Sequence, residues 1–148
     1  MKTVEILEKL IAFETVSADS NMALINFVSD LLRDAGVEVQ IIPDRTGAKA
    51  NLYATIGPTD DGGVMLSGHS DVVPVAGPDW TKPAFELTHE NGRYFGRGTT
   101  DMKGFLASSL AMALRAAKLD LKTPLHLAIS YDEEIGCQGV RSMIDLLQ

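Results

Sequence analysis

Apolar positions along the chain fall into alternating helical and strand-like stretches. Val4, Leu7, Leu10 and Ile11 recur every three or four residues, which predicts an amphipathic helix over 3–13. A second helix is predicted over 20–35, with Ser20 placed to cap its start and Gly36 just past its end. "VEVQII" (37–42) and "NLYATIG" (51–57) read as strands joined by the loop "PDRTGAK". The turn "GPTDDGG" then leads into a short apolar strand, "VMLSG" (64–68). "FELTHENGRYFG" (85–96) predicts a hairpin turning at Asn91-Gly92. "DMKGFLASSLAMALRAAKL" (101–119) predicts a helix whose small residues let it lie close to a sheet. A strand over 124–131 and a helix from about 138 complete the pattern. Interleaved strands and helices predict an α/β layered fold, a mixed, mostly parallel sheet flanked by helices.

Composition narrows the class. A chain of 148 residues, 45% hydrophobic, supports one domain with a core. Its 13 basic and 20 acidic residues give a net charge of −7, which argues against nucleic acid or an anionic membrane as partner. Cys137 is the only cysteine, so no internal disulfide forms, in keeping with a reducing compartment. The start "MKTVEILEKLIAFE" lacks the continuous apolar run of a signal peptide, and nothing is long enough to span a bilayer. The expected location is the cytoplasm.

Three stretches carry candidate chemistry. In "SGHSDVVP", His69 and Asp71 follow the strand at 64–68, and two residues of extended chain put them on one side. A metal-bound imidazole usually donates its other N–H to a carboxylate, which Asp71 is placed to offer. Taken alone, the pair equally describes a capped strand end. In "GRGTTDMKG", Asp101 stands at the entrance of a long helix, where aspartate is also a common cap. In "YDEEIGCQG", Asp132, Glu133 and Glu134 stand side by side as a strand ends, with alternation turning Asp132 and Glu134 one way and Glu133 the other. Adjacent carboxylates repel, and a cation relieves the repulsion. In a layered α/β fold, loops at the carboxyl ends of strands gather in one crevice, and imidazole with carboxylates there suits zinc.

Together and in this order, "GHSDVVP", "GRGTTDMKG" and "YDEEIGCQGV" strongly resemble the di-zinc amidohydrolase and peptidase family, and most closely its acetylornithine deacetylase branch. The resemblance runs over nearly the whole chain. It implies that His69 binds the first metal, oriented by Asp71, that Asp101 bridges two metals and that Glu134 binds the second. It implies that Glu133 is the general base for the attacking water. It also implies a cis peptide bond after Asp101. The cofactor implied is zinc, two ions in the complete enzyme, with cobalt or manganese as substitutes. The implied substrate is a small-molecule N-acyl amino acid. The family has a further acidic ligand and a histidine ligand later in its chains, and a separate lid and dimerisation domain. Residues 1–148 are therefore read as the N-terminal part of the catalytic domain, with homodimer formation a property of the full-length protein. Succinyl-diaminopimelate desuccinylase or dipeptidase activity in the same family is the alternative, as is a non-catalytic α/β module that binds a cation.

The remaining polar and aromatic residues receive plainer readings. His89 sits near the hairpin turn facing solvent, and His126 is structural, on the strand face opposite Leu125 and Leu127. Cys137 is expected to pack, Trp80 to anchor its loop or cover the site, and Arg97 and Lys103 to offset the charge of Asp101.

Overall fold

A computed structural model describes residues 1–59, 62–77 and 79–144. Helix α1 (Thr3–Ala12) and helix α2 (Met22–Arg33) open the chain, followed by β1 (Glu38–Pro43), β2 (Ala50–Ile56) and β3 (Val64–His69). The hairpin β4 (Thr88–Glu90) and β5 (Arg93–Phe95) leads to α3 (Lys103–Ala116), β6 (Leu125–Ser130) and α4 (Arg141–Ile144). Each predicted element is present within a few residues. The Ser20 hydroxyl accepts the Met22 amide at 3.3 Å, and α2 stops where the Gly36 and Val37 amides return to the Arg33 and Leu32 carbonyls. Asn91 and Gly92 both have positive φ, 50° and 73°, the twist that a two-residue hairpin turn requires. The last predicted helix is seen from Arg141, and its continuation past Ile144 lies outside the described residues, as do Asp60 and Asp61 of the predicted turn.

The four-stranded sheet has the order β1-β2-β6-β3. β1 with β2 and β2 with β6 are antiparallel, whereas β3 with β6 is parallel. The sheet is mixed, as expected, but among the described strands antiparallel pairings outnumber parallel ones. The short β1–β2 connection accounts for one of these pairings, since Asp44 closes it as a tight turn, its amide bonded to the Lys49 carbonyl, and so short a link reverses the chain; the other arises because β2 takes β6 as its second neighbour.

One face of the sheet carries the main core. Ala50, Leu52, Ala54 and Ile56 of β2 and Leu127 and Ile129 of β6 alternate into it and meet Leu24, Ile25, Val28 and Leu32 of α2 and Leu106 and Leu110 of α3. Helix α1 adds Ile6, Leu10 and Ile11, packed against α3. Each leucine, isoleucine or valine among them contributes about 1.5–3 kcal/mol on removal from water before chain entropy is counted. On the opposite face Met143 of α4 covers Ile42 and Ala128. Next to them His126 Nδ1 lies 2.8 Å from the Tyr53 hydroxyl and 2.9 Å from that of Thr55, which fits its structural reading. No helix among the described residues is long and apolar enough to cross a membrane.

Candidate metal centre

The parallel pairing of β3 with β6 sets the site. His69 at the end of β3 is in register with Ser130 at the end of β6, and the Ser70 amide donates to the Ser130 carbonyl at 2.8 Å. The two chains therefore leave the sheet side by side, one carrying His69 and Asp71, the other Asp132, Glu133 and Glu134. The turn 96–102 brings Asp101 to the same edge, with the Lys103 amide bonded back to the Gly98 carbonyl. The peptide bond between Asp101 and Met102 is cis.

His69, Asp101 and Glu134 each place a ligand atom within 4.8 Å of the others. The His69 ring is buried, and its Nδ1–H donates to the backbone carbonyl of Asp71 at 2.9 Å, with the Asp71 carboxylate at 3.5 Å. Asp71 thus meets the imidazole first through its main chain. That bond commits Nδ1 and turns Nε2 towards Asp101 Oδ1, 3.1 Å away. The Asp101 side chain is largely exposed, so the cluster opens to solvent.

Electrostatics describe a place that welcomes positive charge. Burial alone would lower the His69 pKa, but Asp71 and Asp101 raise it to about 9. Glu134 is pushed above its ordinary value by burial and then by the negative charge of Asp101. Burial would also raise Asp71, yet hydrogen bonds from His69, Ser17 and the Glu133 and Glu134 amides hold it at about 2. One imidazole nitrogen with its tautomer fixed, converging with carboxylates that repel one another, is a donor set suited to a divalent cation. Glu133 lies beside that set: its Oε2 is 3.7 Å from His69 Nε2, and its side chain is about half exposed.

The Asp71 carboxylate does more than the sequence suggests. It accepts the Ser17 hydroxyl at 2.6 Å, the Glu133 amide at 3.1 Å and the Glu134 amide at 3.2 Å, tying three segments together. Several expectations are corrected here. Asp132 does not share a direction with Glu134: its φ is 51°, which breaks strand alternation, and its carboxylate pairs with Lys49 at 2.5 Å. Lys103 does not offset Asp101. It is fully buried and its ammonium donates to the Phe13 carbonyl at 2.6 Å, and this burial lowers its pKa to about 8. Arg97 stacks over the Trp80 ring at 4.9 Å and donates to the Pro74 carbonyl, so it braces the loop that Trp80 anchors. Cys137 is exposed, not packed, because the turn after Glu134 carries it outward with φ 53°. Ser17, Ala18 and Lys49 are the residues that sequence reasoning missed; each meets an acid distant in sequence, and no local motif marks them.

A close approach supports Asp101. A Cβ on Gly104 would overlap the Thr99 carbonyl oxygen, so the first turn of α3 packs directly on the turn that carries the aspartate. Gly104→Ala is expected to cost about 1–3 kcal/mol of stability by overpacking and to weaken metal binding, checked by urea unfolding and zinc titration.

An imidazole and two carboxylates gathered beyond the carboxyl ends of parallel strands form a candidate metal site on an α/β fold. The chain belongs to the peptidase family M20/M25/M40, which matches residues 65–148. It is 39% identical to an acetylornithine deacetylase of Klebsiella pneumoniae over 98% of this chain and 39% of the relative. It is 40% identical to one of Shigella sonnei over 93% of this chain and 38% of that protein. The chain thus spans about two fifths of the length of these relatives. Human carnosine dipeptidase 1 superposes with a TM-score of 0.80 at 25% identity, over 97% of this chain and 34% of that one. An M20 family metallo-carboxypeptidase from Sulfolobus solfataricus shares the fold, with a TM-score of 0.84 at 24% identity, over 99% of this chain and 34% of that chain.

Proposed function

We propose that the chain is the N-terminal part of the catalytic domain of a zinc-dependent amidohydrolase that converts N-acetylornithine to ornithine and acetate. The observation that carries this reading is the convergence of His69, Asp101 and Glu134 with Glu133 left over beside them. A purely structural cation site has no use for that extra carboxylate. The substrate rests on the acetylornithine deacetylases matched at 39 and 40% identity.

His69, Asp101 and Glu134 would hold the metal. A bound divalent cation polarises an amide carbonyl and makes water more acidic. Glu133 takes the proton from the attacking water as oxygen adds to the acetyl carbon. It then gives that proton to the amine as the C–N bond breaks, which releases acetate and ornithine. Asp71 keeps His69 and the Glu133–Glu134 backbone in place throughout.

The test is acetate release from N-acetylornithine by the complete protein, before and after zinc is removed with a chelator and restored. Zinc-dependent release that exceeds release from N-succinyl-diaminopimelate and from dipeptides supports the reading. Preference for either of those substrates overturns the substrate, and hydrolysis indifferent to metal overturns the mechanism. The 148-residue chain alone is expected to bind zinc weakly and to leave N-acetylornithine intact, since three donor residues under-fill a two-metal site.

A further inference from the structure

Asp132 is the member of the acidic run that neither metal binding nor proton transfer uses, and it is the most buried of the three. Its Oδ2 meets Lys49 Nζ at 2.5 Å, and its Oδ1 accepts the Ala18 amide at 3.0 Å. Lys49 comes from the β1–β2 connection, 83 residues away in sequence, and both side chains are nearly out of solvent, at 13% and 10% exposure. Asp132 and Ala18 both hold left-handed backbone, φ 51° and 75°. Such conformations in residues other than glycine persist where surrounding contacts over-determine them.

The loop after Asp132 is built on it. The Asp132 carbonyl accepts the Gln138 amide at 3.1 Å, and inside that turn the Glu133 carbonyl accepts the Gly136 and Cys137 amides. Glu133 and Glu134 are further fixed by their own amides on Asp71. The two anchorages share a support: Ser17 donates to Asp71 and the next residue, Ala18, to Asp132. The two acids are therefore bracketed, by Asp132 on the upstream side and by Asp71 beneath.

We propose that Lys49 and Asp132 form a clamp that sets the position of Glu133 and Glu134, which makes Lys49 a positioning residue for the hydrolysis described above; the inference rests on that reading. Without Lys49 the Asp132 carboxylate is left buried and unpaired, the costly half of a broken ion pair. Rotation of the backbone at 132 turns it further towards water, and that rotation carries Glu133 and Glu134 with it.

The test compares Lys49→Met, Lys49→Gln and Lys49→Arg with the wild type, all in the complete protein, by hydrogen exchange and zinc calorimetry. In Lys49→Met, amides of segment 131–138 are expected to exchange at least about tenfold faster, while those of β6 and α3 keep their wild-type rates. Zinc affinity is expected to fall on the order of tenfold, as for other supports behind metal ligands. Lys49→Arg restores both. If Lys49→Met does not fold, Lys49→Gln carries the same readouts, since it too removes the cation and leaves the Asp132 charge buried. Unchanged exchange in 131–138, a rise spread evenly over the chain, or wild-type zinc affinity overturns the clamp. Neither readout needs turnover, so a wild-type protein that fails to hydrolyse any N-acyl amino acid while its loop exchange responds to Lys49 overturns the hydrolytic reading alone.

Discussion

Glu133→Gln is expected to lower turnover of the complete protein by about 10²–10⁴-fold while leaving its fold and zinc affinity near wild type. Glutamine keeps the size of the side chain and cannot accept a proton at neutral pH. Glu133 stands apart from the three residues whose ligand atoms converge, so neutralising it removes no donor from that set. Its backbone anchorage to Asp71 runs through the amide and survives the change. Glu134→Gln is the matched control: it lies within the converging set, so zinc affinity falls together with rate. Steady-state kinetics paired with zinc titration separate the two variants. Unchanged turnover in Glu133→Gln would assign the proton transfer elsewhere.

Asp71→Ala is expected to destabilise the chain by about 3 kcal/mol at neutral pH. The substitution strips the acceptor from the Ser17 hydroxyl and from the Glu133 and Glu134 amides, and removes the charge beside the His69 imidazole. The loss depends on pH in a defined direction. Asp71 is held at about 2 in the folded chain against an ordinary 3.8. Its ionised form therefore adds stability that is fully present above pH 4 and disappears as pH falls towards 2, about 2 kcal/mol in all. His69 works from the other side. Its pKa is raised to about 9, so its contribution is complete below pH 6.5 and is lost as pH rises through 9. The gap between wild type and Asp71→Ala should be widest between pH 4 and 6.5 and shrink towards both ends. Urea unfolding at pH 2.5, 5.5 and 9.5 measures it, and a gap constant with pH would show that Asp71 acts through packing alone.

Much of this was legible in the sequence because the signals are local. Period-two and helical spacings place the elements, and Asn91-Gly92 marks the hairpin. His69, Asp71 and the acidic run stand out because polar residues abut the ends of apolar stretches, and Asp101 because it stands at the entrance of a predicted helix. The residues that escaped do their work through long-range geometry. Lys49 reads as an ordinary loop cation until the sheet folds it against Asp132. Lys103 reads as a surface charge next to Asp101, yet the first turn of α3 points it into the core towards Phe13. Strand alternation misplaced Asp132 because a single left-handed residue cancels the period, and nothing in the local pattern announces one at an aspartate. The balance of parallel and antiparallel pairing was likewise hidden, since it depends on which strand β2 finds as its second neighbour.

The side-by-side ending of β3 and β6 has a bearing on how this sequence can change length. His69 is in register with Ser130, and from these two positions the chain has only a few residues in which to deliver Asp71, Glu133 and Glu134. Deleting or inserting one residue within either strand would slip the pairing, invert every side chain beyond it between core and opposite face, and carry the imidazole away from the carboxylates. The tip of the β4–β5 hairpin bears no such constraint, because among the described residues these two strands pair only with each other and their turn is exposed. Length variation should therefore be accepted at 91–92 and refused at 64–69 and 125–130, a pattern that a library of single-residue insertions and deletions, sorted for folded protein, would display directly.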